Sequence, residues 1–265
     1  MPGLIIDGAV VPFDGHRVIN WHDDPRLRLG EADGRKRKTR WVRSIILHTT
    51  KGIPGGADHR PQVIRAGIGP GGDAGVRVAR YWSRDPKSSG AHLIVDFDRT
   101  VCCLADLRLE VAYHATIANE FSVGIEIVQG AEAELYSSQL DAVCELVDLL
   151  TLTFGIQRQI PAGYRNRPLE RFGLGPGIMV GVFGHRDVTN NRGQGDPGDE
   201  IMRRLARRGY QRLDYDRNED LEVWRIRQRE MGLKPDGIPG PRTIAELVSR
   251  GFAGGLWACP PRRPA

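Results

Sequence analysis

Short apolar runs recur along most of the 265-residue chain, separated by segments rich in glycine, proline and charged residues. Runs of this length between turn-forming residues are typical of buried strands. They predict strands at 4–6, 9–13, 44–50, 91–97, 100–104, 123–128 and 178–183. The first two runs are split by Asp7-Gly8, and the fourth and fifth by Asp98-Arg99. Both breaks predict tight turns between paired strands.

Two stretches have the spacing of a helix. From Ser137 to Phe154, apolar residues recur every three or four positions, and Ser138 is the predicted N-cap. A shorter, strongly basic helix is predicted for 198–208, starting near Asp196-Pro197, because proline suits the first turn of a helix.

Long segments with little periodicity connect these elements. The segments 51–90 and 155–177 are rich in glycine and proline, and loops of that length in a compact domain are usually functional. We therefore expect 51–90 to frame a groove. Farther on, 210–220 reads as a polar linker, and helical patterns at 221–231 and 244–248 flank a turn-rich loop. Two short helices and a loop can bury only a small core of their own, so this pattern predicts a small helical module.

Composition and charge are those of an ordinary globular protein, with 40% hydrophobic and 27% charged residues. The net charge of +5 favours a basic surface and does not single out nucleic acid among anionic polymers. Aromatic and basic residues are not interleaved, so we expect no nucleic-acid binding. The basic run 35–43 is interpreted as a solvated linker, with a patch that touches an anionic polymer as the alternative.

The four cysteines and the N-terminal residues indicate in which cellular compartment the chain folds. Cys102, Cys103, Cys144 and Cys259 lack CxxC spacing and are predicted to be reduced structural thiols. The first residues lack a basic region followed by a long apolar segment, so no signal peptide or membrane insertion is expected. We expect the chain to be made and folded in the cytoplasm, as a monomer.

Two of the predicted strands end on a histidine. His48 lies near the end of 44–50, and His185 follows 178–183. A single strand-end histidine is more often a packed residue than a ligand. Two histidines that each end an apolar strand make a ligand role more plausible for both. Asp196 follows in a loop rich in glycine and asparagine. A catalytic zinc site needs three protein ligands and an open position, so these three residues are candidates.

One carboxylate, Glu126, lies inside the otherwise apolar strand 123–128. An ionised carboxylate in such a strand is costly unless it is paired or faces a cavity. It could form an ion pair with one of the arginines or act as a general base whose pKa is set by the site. The residues alone leave these two interpretations even.

Several short motifs occur in a fixed order. They are Ile45-Ile46-Leu47-His48, Ala91-His92-Leu93-Ile94-Val95-Asp96, Tyr113-His114-Ala115, 119–126 ending in Val123-Gly124-Ile125-Glu126, and Gly184-His185-Arg186-Asp187 with Asp196-Pro197-Gly198. Together they resemble the zinc-dependent N-acetylmuramoyl-L-alanine amidases, the amidase-2 or peptidoglycan-recognition-protein group, over roughly residues 40–208. The resemblance implies an α/β fold: a mixed central sheet flanked by helices, with a groove over one edge.

The resemblance also implies roles for individual residues. It implies that His48, His185 and Asp196 bind Zn²⁺ and that Glu126 is the general base. His114 and Gln194 are the expected oxyanion donors, and Tyr113, Asn119 and Arg192 are the expected substrate contacts. Many members carry lysine at the position of Gln194. Glutamine can donate a hydrogen bond there but brings no charge, so either activity is lower or Arg192 or His114 compensates.

The C-terminal part resembles a small peptidoglycan-binding domain. Its segment 236–243 resembles the pattern Asp-Gly-x-x-Gly-x-x-Thr, with Asp236 and Thr243 at its ends. The predicted organisation is an N-terminal extension 1–40, a catalytic domain 41–209, a linker 210–219, a peptidoglycan-binding-like module 220–255 and a tail 256–265.

The function implied is hydrolysis of the amide bond between N-acetylmuramic acid and L-alanine in peptidoglycan by a cell-wall lytic enzyme. Two alternatives stay open: a non-catalytic peptidoglycan-binding protein of the same fold, and a different zinc peptidase acting on wall peptides. Because a wall-binding module would be of little use in the cytoplasm, we expect delivery to the wall without a classical signal peptide, by phage-type lysis or an injection apparatus.

Overall fold

A computed structural model describes most of the chain. The described residues are 2–30, 35–38, 41–50, 63–84, 90–161, 179–189, 196–213, 225–226, 228–236, 242–243 and 246. Several predicted features lie outside this set, including Gln194, Arg192, Cys259 and parts of both long loops.

The regular elements are short, apart from one long helix. The strands are β1 Leu4–Ile6, β2 Ala9–Val11, β3 Val18–Asn20, β4 Arg35–Lys36, β5 Ser44–Thr49, β6 Val63–Arg65, β7 Leu93–Val95, β8 Val101–Cys103, β9 Glu110–Val111, β10 Ser122–Ile127, β11 Glu134–Tyr136, β12 Gln159–Pro161, β13 Gly181–Gly184 and β14 Gln211–Leu213. The α-helices are α1 Ala74–Arg84, α2 Ser137–Phe154, α3 His185–Val188 and α4 Asp199–Arg207. The 3-10 helices are Pro25–Leu27 and Thr116–Phe121.

Within the described residues, a six-stranded sheet in the order β13-β5-β10-β7-β8-β3 forms the centre of the fold. β13, β5, β10 and β7 pair in parallel, β7 and β8 are antiparallel, and β8 and β3 are again parallel. The sheet is thus mixed, and helices flank it, which confirms the predicted fold class. Parallel neighbours in the middle of the sheet bring their carboxyl ends to one edge.

Alternation along β5 separates the core from the site. Ile45 and Leu47 belong to the main apolar cluster, which they share with residues of α2 and α4. Ile46 belongs to a different cluster that includes Phe183. Because successive side chains of a strand lie on opposite faces, His48 shares the face of Ile46. One face of the strand therefore packs into the main core, and the other carries Ile46 and His48.

Helix α2 has the bounds that its periodicity predicts, but its predicted N-cap is wrong. The N-cap is Tyr136, whose backbone N–H donates to the side chain of Gln139. The hydroxyl of Ser138 donates instead to the carbonyl of Gly67. Ser138 therefore ties the helix to a neighbouring loop instead of capping it. The basic helix also starts later than predicted, with Gly198 as its N-cap.

The interpretation of 51–90 as loop is wrong for part of its described length, because it contains β6 and α1. The buried residues of α1 are Gly75, Val76 and Ala79. Because these buried side chains are small and arginines lie between them, the sequence of α1 shows no clear apolar periodicity. Asp96 accepts hydrogen bonds from the backbone N–H groups of Gly75 and Phe97, which fixes the start of α1 against the sheet.

The solvated-linker interpretation is wrong for the described start of the basic run. Strand β4 pairs with β9, and Arg37, which follows it, is only 9% exposed. The Arg37 guanidinium donates to the carbonyls of Asn119 and Ser122, and burial lowers its pKa to about 10. The buried Arg37 side chain thus holds the backbone of the segment that carries Asn119.

Both ends of the predicted catalytic domain lie within a continuous core. The predicted β1–β2 hairpin is present, β1 packs into the main cluster, and β3 is part of the central sheet. At the other end, Tyr210 is 3% exposed and β14 pairs with β12. The boundaries at 40 and 209 stay predictions, but the packing of 4–20 and 210–213 is shared with the central domain.

Three further expectations can be compared with the described residues. Cys102, Cys103 and Cys144 are buried free thiols, as predicted. Arginines 203, 204 and 207 all form ion pairs with Glu200, so the charge of α4 is partly compensated. Among the described residues, no helix combines the length and apolarity needed to span a bilayer.

Candidate metal centre

Two neighbouring parallel strands carry the candidate histidines to one edge of the sheet. His48 is the last residue but one of β5 and is 4% exposed. His185 directly follows β13, as the first residue of α3, and is 2% exposed. Their ring centroids are 4.6 Å apart. The two strands thus bring together the histidines that the sequence places at separate strand ends.

Asp196 is held against both histidines by the backbone. Its Oδ1 accepts a hydrogen bond of 3.0 Å from the N–H of Thr49, the residue after His48. Its carbonyl accepts a 3.0 Å hydrogen bond from the N–H of Arg186, the residue after His185. Its Oδ2 lies 3.2 Å from His185 Nδ1. The carboxylate is therefore oriented by the same two chain segments that carry the imidazoles.

Gly184 allows this close approach. A Cβ atom at this position would lie 2.6 Å from Pro197 Cδ and 3.1 Å from the Asp196 carbonyl oxygen. The 2.6 Å contact is shorter than real Cβ atoms make, so a side chain here would displace Pro197. Glycine at this position therefore lets Asp196 and Pro197 pack against the end of β13, directly before His185.

The three side chains form a group that could hold a metal ion, because one ligand atom from each lies within 4.8 Å of the others. Two imidazoles and a carboxylate make a donor set that suits zinc. Ligand atoms ~2.0–2.1 Å from a tetrahedral ion are roughly 3.3 Å apart. The 3.2 Å between His185 Nδ1 and Asp196 Oδ2 fits such a pair.

Glu126 lies beside this group. In the parallel pairing of β10 with β5, Glu126 is the register partner of His48. Register partners of neighbouring strands place their side chains on the same face, with the strands ~4.8 Å apart. Glu126 is partly exposed, while the other residues of β10 are buried. Glu126 thus lies on the strand next to the candidate metal group and is partly exposed to solvent.

His114 contacts His48, one of the three candidate ligands. Its Nδ1 lies 3.0 Å from His48 Nε2, and its Nε2 lies 3.2 Å from Ser122 Oγ. The residue is 8% exposed. Burial, helped by the nearby charge of Arg37, lowers the pKa of His114 well below its ordinary value. His114 is therefore a neutral imidazole at neutral pH.

The remaining predicted site residues differ in their surroundings. Asn119 is 7% exposed, and its Oδ1 accepts hydrogen bonds from the N–H groups of His114 and Ala115. Tyr113 is partly buried, with the Arg35 guanidinium 5.0 Å from its ring centroid. The roles of Asn119 and Tyr113 as substrate contacts stay predictions. Gln194 and Arg192 lie outside the described residues.

The structure adds residues to which the sequence assigned no role. Thr49 orients Asp196 through its backbone, and Ser122 contacts His114. His92 is fully buried behind His114, with ring centroids 5.5 Å apart, and its Nδ1 accepts the Gly124 N–H. The contact of Thr49 uses its backbone N–H, which every residue except proline has, so the sequence could not predict it. His92 belongs to the motif at 91–96 and could have been predicted to lie near the site.

Comparisons with known proteins place this chain in a family. The model of the family described as N-acetylmuramoyl-L-alanine amidase (Amidase_2) matches residues 37–199, which is more than half of the chain. None of the curated proteins matches the chain.

Solved structures give further similarities of low sequence identity. The amidase LysC from Clostridium intestinale URNW is 16% identical, covering 72% of this chain and 97% of its own, with a TM-score of 0.39. The Ph2119 endolysin from the Thermus scotoductus MAT2119 bacteriophage Ph2119 is 20% identical, covering 73% and 99%, with a TM-score of 0.40. Drosophila peptidoglycan recognition protein SD is 15% identical, covering 75% and 98%, with a TM-score of 0.45. With the family model spanning the strands that carry His48, Glu126 and His185, the chain belongs to the N-acetylmuramoyl-L-alanine amidase family.

Proposed function

We propose that this protein is a zinc-dependent peptidoglycan amidase that cuts the bond between the lactyl group of N-acetylmuramic acid and L-alanine. The observation that carries the proposal is the group His48, His185 and Asp196 with Glu126 beside it, in a chain of the amidase family. A metal group next to an accessible carboxylate is the arrangement that metal-assisted amide hydrolysis requires.

His48, His185 and Asp196 would hold the zinc ion. Zinc bound by two imidazoles and one carboxylate keeps a net positive charge and supplies a Lewis acid that polarises the amide carbonyl and acidifies water. Thr49 and Arg186 hold Asp196 through backbone hydrogen bonds, so the ligands are arranged by the fold itself.

Glu126 would move the protons of the reaction. As general base it takes a proton from the attacking water, and as general acid it gives a proton to the leaving amine of L-alanine. Its place on a central strand holds its backbone beside that of His48. Gln194 and Arg192 are proposed to contact the oxyanion and the substrate, respectively.

The end groups of digested peptidoglycan test the reaction. We expect purified walls treated with the protein to gain free N-terminal L-alanine and intact muramic acid ends, identified by mass spectrometry. The Glu126→Gln protein serves as the matched control. New sugar reducing ends or new D-alanine termini would assign a different hydrolase, and binding without new ends would leave a recognition protein of the same fold.

The C-terminal part is proposed to anchor the enzyme on insoluble wall. In the described part of this region, the buried Gln228 lies 2.9 Å from Asp236 Oδ1 and 3.3 Å from Thr243 Oγ1 through its Nε2. Asp236 and Thr243 are the first and last residues of the recognised motif. Gln228 thus connects the two ends of the turn-rich loop, as expected for a small packed module.

Truncation after Leu213 should separate anchoring from catalysis. Ending the chain there keeps Tyr210 and β14 with the central domain. Because tethering raises effective concentration on the polymer, we expect sedimentation with intact walls to weaken by up to ~10²-fold, with cleavage of a soluble muramyl peptide unchanged. Thermal unfolding of the truncated protein is the control for folding. Equal sedimentation of both proteins would exclude a wall anchor and favour an enzyme of small soluble fragments.

A further inference from the structure

A chain of hydrogen bonds leads from a backbone carbonyl to His48. The Ser122 hydroxyl donates to the Ala118 carbonyl at 2.6 Å. A carbonyl oxygen can only accept, so this bond uses the single hydroxyl proton. Ser122 Oγ is also 3.2 Å from His114 Nε2. Ser122 must therefore accept in that contact, and His114 carries its proton on Nε2.

The tautomer of His114 sets the tautomer of His48. A neutral imidazole with a proton on Nε2 has an acceptor at Nδ1. His114 Nδ1 lies 3.0 Å from His48 Nε2, so the His48 nitrogen is the donor. A neutral His48 with its proton on Nε2 then has its lone pair on Nδ1. Metals bind the unprotonated nitrogen of histidine.

The ring of His114 is fixed by its surroundings. A Cβ atom at Gly124 would lie 2.7 Å from His114 Cγ and Nδ1, so the ring packs directly on the β10 backbone. Asn119 Oδ1 accepts the backbone N–H groups of His114 and Ala115. Both the main chain and the ring of His114 are thus held, which gives its Nδ1 a defined position.

We propose that His114 is a positioning residue that holds His48 in the Nε2–H tautomer and presents His48 Nδ1 to the metal. This role differs from the oxyanion contact expected from the sequence. It rests on the metal site of the proposed function. Hydrogen-bond partners of metal-bound histidines fix the tautomer and the ring orientation in this way, and their loss commonly costs 10–100-fold in metal affinity.

Two substitutions separate positioning from packing. Asn replaces the Nδ1 acceptor of histidine with its Oδ1, whereas Leu fills similar space without an acceptor. We expect His114→Leu to bind zinc ~10–100-fold more weakly in a chelator competition. We expect His114→Asn to stay within several-fold of the unchanged protein. Zinc affinity of His114→Leu equal to that of the unchanged protein would overturn the proposal.

Nuclear magnetic resonance of the metal-free, full-length protein gives a readout that does not depend on activity. The chain has seven histidines, and His48→Gln identifies the His48 signals in long-range ¹H–¹⁵N spectra. The expected result is a proton on His48 Nε2 and none on Nδ1. A proton on Nδ1 overturns the proposal, and this measurement decides the question if His114→Leu fails to fold. If the unchanged protein bound no zinc, the proposed function would fall, while the measured tautomer would still support or overturn the hydrogen-bond assignment.

Discussion

His185→Ala and Asp196→Asn are expected to lose stoichiometric zinc and, with it, all measurable amidase activity, while the protein stays folded. Each removes one of the three candidate ligands. Asp196→Asn is the sharper change, because its side-chain oxygen can still accept from the Thr49 N–H while Oδ2 is replaced by an amide nitrogen that cannot bind the metal. Zinc per protein, measured by atomic absorption after dialysis, checks the result.

The fold should survive because contacts within the protein hold the three residues in place. Backbone hydrogen bonds from Thr49 and Arg186 hold Asp196, and β5 and β13 hold the histidines. His22→Ala changes an exposed histidine and is the matched control, with zinc content expected to equal that of the unchanged protein. Full metal occupancy in His185→Ala would refute the ligand assignment.

Glu126→Gln is expected to keep zinc and the fold but to lose ~10²-fold or more in kcat, the range lost with a general base. The amide matches the carboxylate in shape but cannot accept the proton of water. Because Glu126 is the register partner of His48 on the neighbouring strand, the loss should appear in kcat at full zinc occupancy. Release of N-terminal L-alanine over time, with zinc measured on the same sample, provides the comparison.

The control for this variant is an exposed carboxylate nearby. Glu132 pairs with Arg65, and its side chain is 75% exposed. Glu132→Gln should therefore turn over as the unchanged protein does. Near-normal turnover of Glu126→Gln would show that another group is the base and would remove Glu126 from the proposed mechanism.

Long periodic patterns were predictable from the sequence. The apolar spacing of 137–154 predicts α2, and the apolar runs predict β5 and β10. Both patterns arise because apolar side chains are placed where the folded chain buries them, so the order of apolar residues in the sequence predicts the element. His48 and His185 were predictable for the same reason, because each follows a run of buried residues.

Features that depend on a distant partner were not predictable. Arg37 lies in a basic run, and its burial is set by the carbonyls of Asn119 and Ser122, more than eighty residues away. Helix α1 buries mainly small side chains between arginines, so its apolar face is too narrow to recognise. The contact of His114 with His48 likewise depends on Gly124, whose missing side chain admits the ring.

Strand β5 limits where the chain can change in length. Ile45 and Leu47 pack into the core, and Ile46 and His48 occupy the opposite face. Since this alternation has a period of two, one residue inserted or deleted within Ser44–Thr49 would exchange the faces. An imidazole would enter the core, leucine would take the place of the candidate ligand His48, and the N–H that orients Asp196 would move out of reach. Length variants made for engineering should therefore leave β5 untouched and place changes outside the paired strands.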